Sequence, residues 1–322
     1  ASLSSRSQVA QVQQLVCLGC LAVAAGVAAH DSLVESTSQL IVQFVATPVL
    51  MFFCVLGVQF ALSVVISRRA GRRVELQPAL LAAWWWEVWV AIVVFGWRQP
   101  WAWRKWSDNC GQFVSAGGQA SQSDIEKGRR GVVLVHGFMC NRGLWNRWRR
   151  ELAACGVPTV AVNLEPFRGS IDEYVPIIER AVQELTCLTG LQPVVVAHSM
   201  GGLATRAWLS SAPDNPSRVA HVVTIGTPHH GTWLARWGFA ANAQQMRLDS
   251  VWLRQLEAKE ASDLGALFTC WHSCADNIVF PVGTAVLPGS AERYLPNVGH
   301  VALVDHPAIR QDVLSRLKVS PP

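Results

Sequence analysis

Residues 40–66 are 27 consecutive positions without a formal charge, and no other feature restricts the folding of this chain as much. A helix needs ~20 apolar residues to cross the hydrocarbon core of a bilayer, so this run is long enough to do so. Residues 78–97 form a second such run, interrupted only by Glu87. Residues 9–29 form a third, diluted at its start by Gln11, Gln13 and Gln14. The alternative for this first segment is a signal peptide, with Arg6 as a thin basic start and small residues near Ala28 and Ala29. These runs account for the 51% hydrophobic content and the mean hydropathy of +0.24, both high for a soluble protein. Residues 1–106 are therefore expected to be a membrane region with about three transmembrane helices, and 107–130 a linker.

Eight tryptophans (84, 85, 86, 89, 97, 101, 103 and 106) crowd the last run and its exit. Indole rings favour the headgroup level, where the ring body is buried and the N–H stays wet. Glu87 is the anomaly, because an ionisable group inside a span is either paired or near an interface. A position facing a neighbouring helix is expected for it. The net charge of +5 arises partly from Arg68, Arg69, Arg72 and Arg73, which sit between apolar runs. No basic stripe marks the remainder, so a nucleic-acid partner is excluded and a bilayer favoured. The 67–75 loop carries four arginines and the 30–39 loop none, which places the former in the cytoplasm and everything after Trp97 on the outer side.

From residue 131 the pattern changes to short apolar runs alternating with amphipathic segments. Residues 131–136, 158–163, 193–197 and 219–225 read as strands, and 144–154, 171–188 and 200–210 as helices. Continuously apolar strands alternating with helices mean a parallel sheet covered on both faces. Residues 131–322 are enough for a sizeable core. Between one strand and the next helix stands Ala197-His198-Ser199-Met200-Gly201-Gly202. This is a nucleophile-elbow pattern, with Ala197 where glycine is usual. A sharp strand-to-helix turn exposes the serine hydroxyl, small neighbours prevent clashes, and the helix N-terminus offers N–H donors to a developing oxyanion.

His136-Gly137-Phe138 after an earlier strand, the Ser199 turn, and Ile225-Gly226-Thr227-Pro228-His229-His230-Gly231 occur in one order. In these motifs the chain resembles the bacterial lipases and esterases of the α/β-hydrolase superfamily, particularly the small ones without a large cap. The resemblance covers about residues 131–307 and leaves the apolar N-terminal region unexplained. It implies an α/β-hydrolase fold, with the Phe138 and Met200 N–H groups as the oxyanion hole and His136 as a structural residue. A serine nucleophile needs a base, and the base a carboxylate that fixes its tautomer. In the family these follow the serine as acid, then histidine. Residues 268–281 give an apolar strand ending in Asp276, and Asn297-Val298-Gly299-His300-Val301 resembles the histidine loop. Asp276 and His300 are thus the expected partners of Ser199. Asp263, read as a helix-start or loop carboxylate, Asp305, read as solvated, and His306 are their rivals. Cys140 is read as packing, and His229 and His230 as loop structure.

Residues 232–262 lack strand character and are expected to form a small helical cap, lining either the core or an acyl site. Cys17, Cys20 and Cys54 fall in apolar runs, where cysteine acts as a small hydrophobe. If on one strand, Cys270 and Cys274 would stand roughly 13 Å apart, too far for a mutual disulfide. The resemblance implies a serine carboxylic-ester hydrolase working through an acyl-enzyme on lipid-like or apolar esters. No metal or organic cofactor is implied. Its place would be a bacterial inner membrane, with the catalytic domain on the periplasmic side. Acyl transfer or lipid remodelling with the same triad is one alternative; a catalytically silent membrane scaffold or transport component is another.

Overall fold

A computed structural model of the 322-residue chain describes residues 7–31, 37–72, 74, 78–108 and 129–318. Most of the expected linker, part of the 67–75 loop and Cys110 lie outside the described residues. Three helices come first: α1 (Gln8–Asp31), α2 (Thr37–Arg69) and α3 (Pro78–Val93), the last extended by a π-helical turn at Val94–Arg98. The second part runs β1 (Val132–Val135), α4 (Asn146–Ala154), β2 (Thr159–Ala161), α5 (Val175–Thr189), β3 (Val194–His198) and α6 (Met200–Leu209). It continues with β4 (His221–Ile225), α7 (Ala241–Gln245), α8 (Val251–Glu257), β5 (Phe268–His272), β6 (Ala291–Tyr294), α9 (His300–Val304) and α10 (Pro307–Ser315).

All six strands form one parallel sheet in the order β2-β1-β3-β4-β5-β6. β1, β2, β3 and β5 are buried along their whole length, which is why they read as unbroken apolar runs rather than alternating ones. The chain leaves β1 toward β2 on one side and returns to place β3 on the other. The carboxyl ends of β1 and β3 therefore flank the point where the strand order reverses, the crevice in which open α/β sheets bind ligands. One core cluster joins β1 and β3 side chains to Ile178, Val182 and Leu185 of α5 and Leu203 and Trp208 of α6. On the opposite face Trp145 and Trp148 pack with Val304, Ile309 and Val313, and Trp148 Nε1 donates to the Val304 carbonyl at 2.7 Å.

The expected elements appear with small differences at their starts. The helix at 144–154 opens as a 3-10 turn, Arg142–Trp145, and the one at 171–188 as another, Ile171–Tyr174, capped by a Ser170–Glu173 box. β6 has no apolar signal because its side chains are all exposed at the sheet edge. Residues 232–262 are helical, a 3-10 segment Trp233–Trp237 followed by α7 and α8. Met246, Leu253 and Leu256 belong to the main core, whereas Trp237, Phe239 and Val251 face outward. Arg206 on α6 fastens the end of this segment: its Nε and Nη2 each donate to a Glu260 carboxylate oxygen at 2.7 Å. The eight described cysteines are free. Cys17 and Cys20 stand in a Cys-x-x-Cys spacing on α1, and no group of three metal-binding side chains occurs among the described residues.

Two helices among the described residues are long and apolar enough to cross a membrane, at Phe52–Arg69 and Pro78–Arg98. Both also pack on the domain that follows. Leu80 and Ala83 share a buried cluster with Ala275 and Val282. At the other end of α3, Val94 enters the core and Arg98 pairs with Asp305 at 2.8 Å. On α2, Gln59 accepts from Asn277 at 2.8 Å and Ser67 from the Val282 N–H at 3.1 Å. Residues 67–72 thus lie beside Val282 and Gly283. Two of the arginines there also have partners within the fold. Arg68 donates to the Val74 carbonyl, and the Arg72 guanidinium stands where a Cβ on Gly283 would meet it.

Candidate active site

Ser199 sits between β3 and α6 with φ 55° and ψ −128°, a conformation that costs a non-glycine residue about 1–3 kcal/mol. Neighbouring elements hold it there: its N–H donates to the Ile225 carbonyl at 2.9 Å, and its carbonyl accepts from Gly202 at 3.0 Å. The glycines answer to sterics. A Cβ on Gly201 would stand 2.6 Å from the Val135 and His136 carbonyl oxygens, and one on Gly202 2.2 Å from Thr227 Oγ1. The start of α6 can therefore nest against the ends of β1 and β4 only without side chains at these two positions.

Across the crevice, a Cβ on Gly137 would stand 2.7 Å from Ser199 Cβ, so the 136–139 turn lies directly beside the serine. His136 fixes that turn. Its Nδ1 donates to the Gly137 carbonyl at 2.9 Å, and its Nε2 accepts the Leu164 N–H at 3.0 Å. Burial pushes its pKa down to about 4, so it is a neutral structural imidazole as expected. Met200 is the first residue of α6, where N–H groups lack an intrahelical acceptor. Among the described residues no hydrogen bond from the Phe138 N–H is found. Both expected oxyanion donors thus belong to segments adjoining Ser199.

The acid and the histidine meet. His300, at the start of α9, places Nδ1 2.8 Å from Asp276 Oδ2, with both side chains buried. Asp276 Oδ1 accepts the N–H groups of Ile278 and Val279 at 2.9 and 2.8 Å, which fixes the carboxylate plane. Burial works against charge on His300, but Asp276 and Glu87 outweigh it and raise its pKa above the ordinary imidazole value. A Cβ on Gly226 would stand 3.0 Å from both Asp276 Oδ2 and His300 Nδ1. Gly226 follows Ile225, whose carbonyl holds the Ser199 N–H, so serine, imidazole and carboxylate gather at the carboxyl ends of the central strands.

The rivals are employed elsewhere. His306 caps α10, accepting the Ala308 N–H at 3.3 Å. Asp305 is paired with Arg98 rather than solvated. Asp263 precedes a 3-10 turn at Leu264–Leu267 without capping it. Burial pushes the Cys140 thiol up to about 11, which makes it a poor nucleophile. His229 is fully buried, its Nε2 3.1 Å from Thr224 Oγ1, and His230 lies 3.1 Å from Glu257.

Two contacts were not foreseen. The His198 ring lies 4.5 Å from the His300 ring, and its Nε2 is 3.2 Å from the His300 carbonyl. Glu87 on α3 reaches the N–H groups of Val301 and Ala302, immediately after His300. Its isolation in an apolar run was the only sequence signal for that contact.

Residues 131–269 match the family model described as alpha/beta hydrolase fold. Among solved structures, Aspergillus fumigatus lipase B is similar with a TM-score of 0.52 at 18% identity, over 65% of this chain and 56% of that one. The chain thus spans little more than half the length of that fungal protein. Mature Bacillus licheniformis lipase BlEst2 gives a TM-score of 0.50 at 15% identity, over 60% of this chain and 94% of that one. At such identities the likeness is one of fold. No curated protein sequence matches the chain.

Proposed function

Because this chain carries an α/β-hydrolase fold, we propose that it is a serine carboxylic-ester hydrolase working through an acyl-enzyme. The observation that carries the reading is the buried 2.8 Å His300–Asp276 pair at the carboxyl end of the sheet, where the strained Ser199 turn emerges. In this mechanism the Ser199 hydroxyl attacks the ester carbonyl while His300 Nε2 takes its proton. Asp276 holds the proton on Nδ1, leaving Nε2 free to accept. The Phe138 and Met200 N–H groups receive the oxyanion. His300 returns the proton to the departing alcohol, and water then repeats the sequence to release the acid.

The substrate side of the reading is apolar and membrane-borne. Trp85, Trp86, Trp89, Trp97 and Trp101 of the α3 region are exposed, as are Leu50, Val55 and Val58 of α2. Exposed apolar surface of this extent marks a partner, and an indole-rich one suits the bilayer interface. With their other faces on the catalytic domain, α2 and α3 would hold that domain against lipid.

The test is hydrolysis of p-nitrophenyl esters of graded chain length, in solution and in lipid vesicles, by wild type and Ser199→Ala. Loss of the nucleophile is expected to lower kcat by about 10⁶-fold, the scale found when a serine triad loses its serine. Wild-type rates should be higher on vesicle-borne esters. Activity surviving in Ser199→Ala sinks the serine mechanism, and equal rates in both media sink the membrane part.

A further inference from the structure

The four N–H groups of the first turn of α9 all find acceptors, and two of those acceptors come from α3. The His300 N–H donates to Asn277 Oδ1 at 3.2 Å, and the Leu303 N–H to the Gly299 carbonyl at 3.0 Å. Between them, the Val301 N–H donates to Glu87 Oε1 at 2.7 Å and the Ala302 N–H to Glu87 Oε2 at 2.9 Å. The residue at the N-cap position is Gly299, which has no side chain to do this. A Cβ there would stand 2.4 Å from Glu87 Oε2 and 2.6 Å from its Cδ, so the glycine is what admits the carboxylate. Glu87 is fully buried, and each of its oxygens accepts a backbone N–H. The Asn277 side chain is held in turn by Gln59 of α2 at 2.8 Å. Two of the four N–H groups of this turn are thus held by Glu87 of α3, and a third by an Asn277 side chain that Gln59 of α2 holds in turn.

We propose that Glu87 is a positioning residue for His300, fixing the first turn of α9 through Val301 and Ala302 and placing a negative charge beside the imidazole. The apolar helices are then part of the catalytic apparatus as well as an attachment. This rests on reading His300 as the general base. A base must be neutral to act, so the acid limb of kcat/KM reports its pKa in the free enzyme. The titratable groups facing His300 are Asp276 after β5, His198 on β3 and Glu87 on α3. A neighbouring negative charge favours the imidazolium, so removing it lets His300 act at lower pH.

The experiment uses the full chain with Glu87→Gln, which keeps the shape but turns an N–H donor toward a backbone N–H. The plateau of kcat/KM should fall roughly 10- to 100-fold, the scale of a ~1 Å misplacement. The acid limb should move to lower pH by about half a unit or more. Gly299→Ala acts on the same contact from the other side and should lower the plateau similarly, with losses in the double variant well below the product of the single ones. Hydrogen exchange of the 299–304 segment, measured alongside, needs no catalysis and should be faster in either variant. Unchanged exchange, or an unmoved acid limb in Glu87→Gln, overturns the proposal. If wild type cleaves no ester, the ester reading fails while the exchange still decides whether Glu87 holds the turn.

Discussion

Asp276→Asn is expected to leave the fold in place and to lower kcat by about 10⁴-fold, the loss known when a serine triad's carboxylate becomes an amide. The reason lies in how the two carboxylate oxygens are shared. Oδ1 accepts the Ile278 and Val279 N–H groups, and Oδ2 faces His300 Nδ1. An asparagine must keep its carbonyl toward the two backbone donors, which turns its NH₂ toward Nδ1. The imidazole then carries its proton on Nε2 and has no lone pair to accept one from Ser199. Saturation kinetics on an activated ester, with a thermal melt to establish folding, checks this. A folded variant within tenfold of wild type would mean that Asp276 does not orient the base.

Arg206→Met should produce the largest loss of stability, at a distance from the chemistry. The guanidinium is fully buried, donating twice to Glu260 and once, at 2.7 Å, to the His229 carbonyl. Glu260, whose side chain is 9% exposed, would keep its charge and lose its partner. Removing one member of a buried pair costs about 3–5 kcal/mol, because the desolvated partner is left uncompensated. For a domain of this size that is a fall in Tm of roughly 6–20 °C. The double variant Arg206→Met/Glu260→Leu should recover most of it, since replacing a whole buried pair with apolar groups is often neutral. A single variant melting within about 2 °C of wild type would show that the pair does not fasten the 232–262 segment to α6.

The parts of this structure legible in the sequence are those where physics acts locally. β1 and β3 are buried on both faces, and a buried parallel strand must be apolar throughout. The Ser199 turn shows itself through Gly201 and Gly202, each excluded from bearing a side chain by an atom of a neighbouring strand or loop. β6 was illegible because Ala-Glu-Arg-Tyr at an exposed edge has neither face to bury. The use of Glu87 was illegible for another reason. Its partners are more than 200 residues away in sequence, and an apolar run of bilayer length reads the same whether lipid or a protein surface covers it. The contact of Arg68 was illegible similarly, since a charge count carries no information about the carbonyl it meets.

The most direct measurement is reaction of the folded, detergent-solubilised chain with a fluorophosphonate, followed by mass spectrometry of its peptides. Such probes phosphonylate a serine only when a neighbouring base activates it. One adduct is expected, on the peptide carrying Ser199, lost in Ser199→Ala and slowed by Asp276→Asn. Folded protein that takes up no label, or takes it up on another residue, would contradict the assignment of Ser199 as the nucleophile.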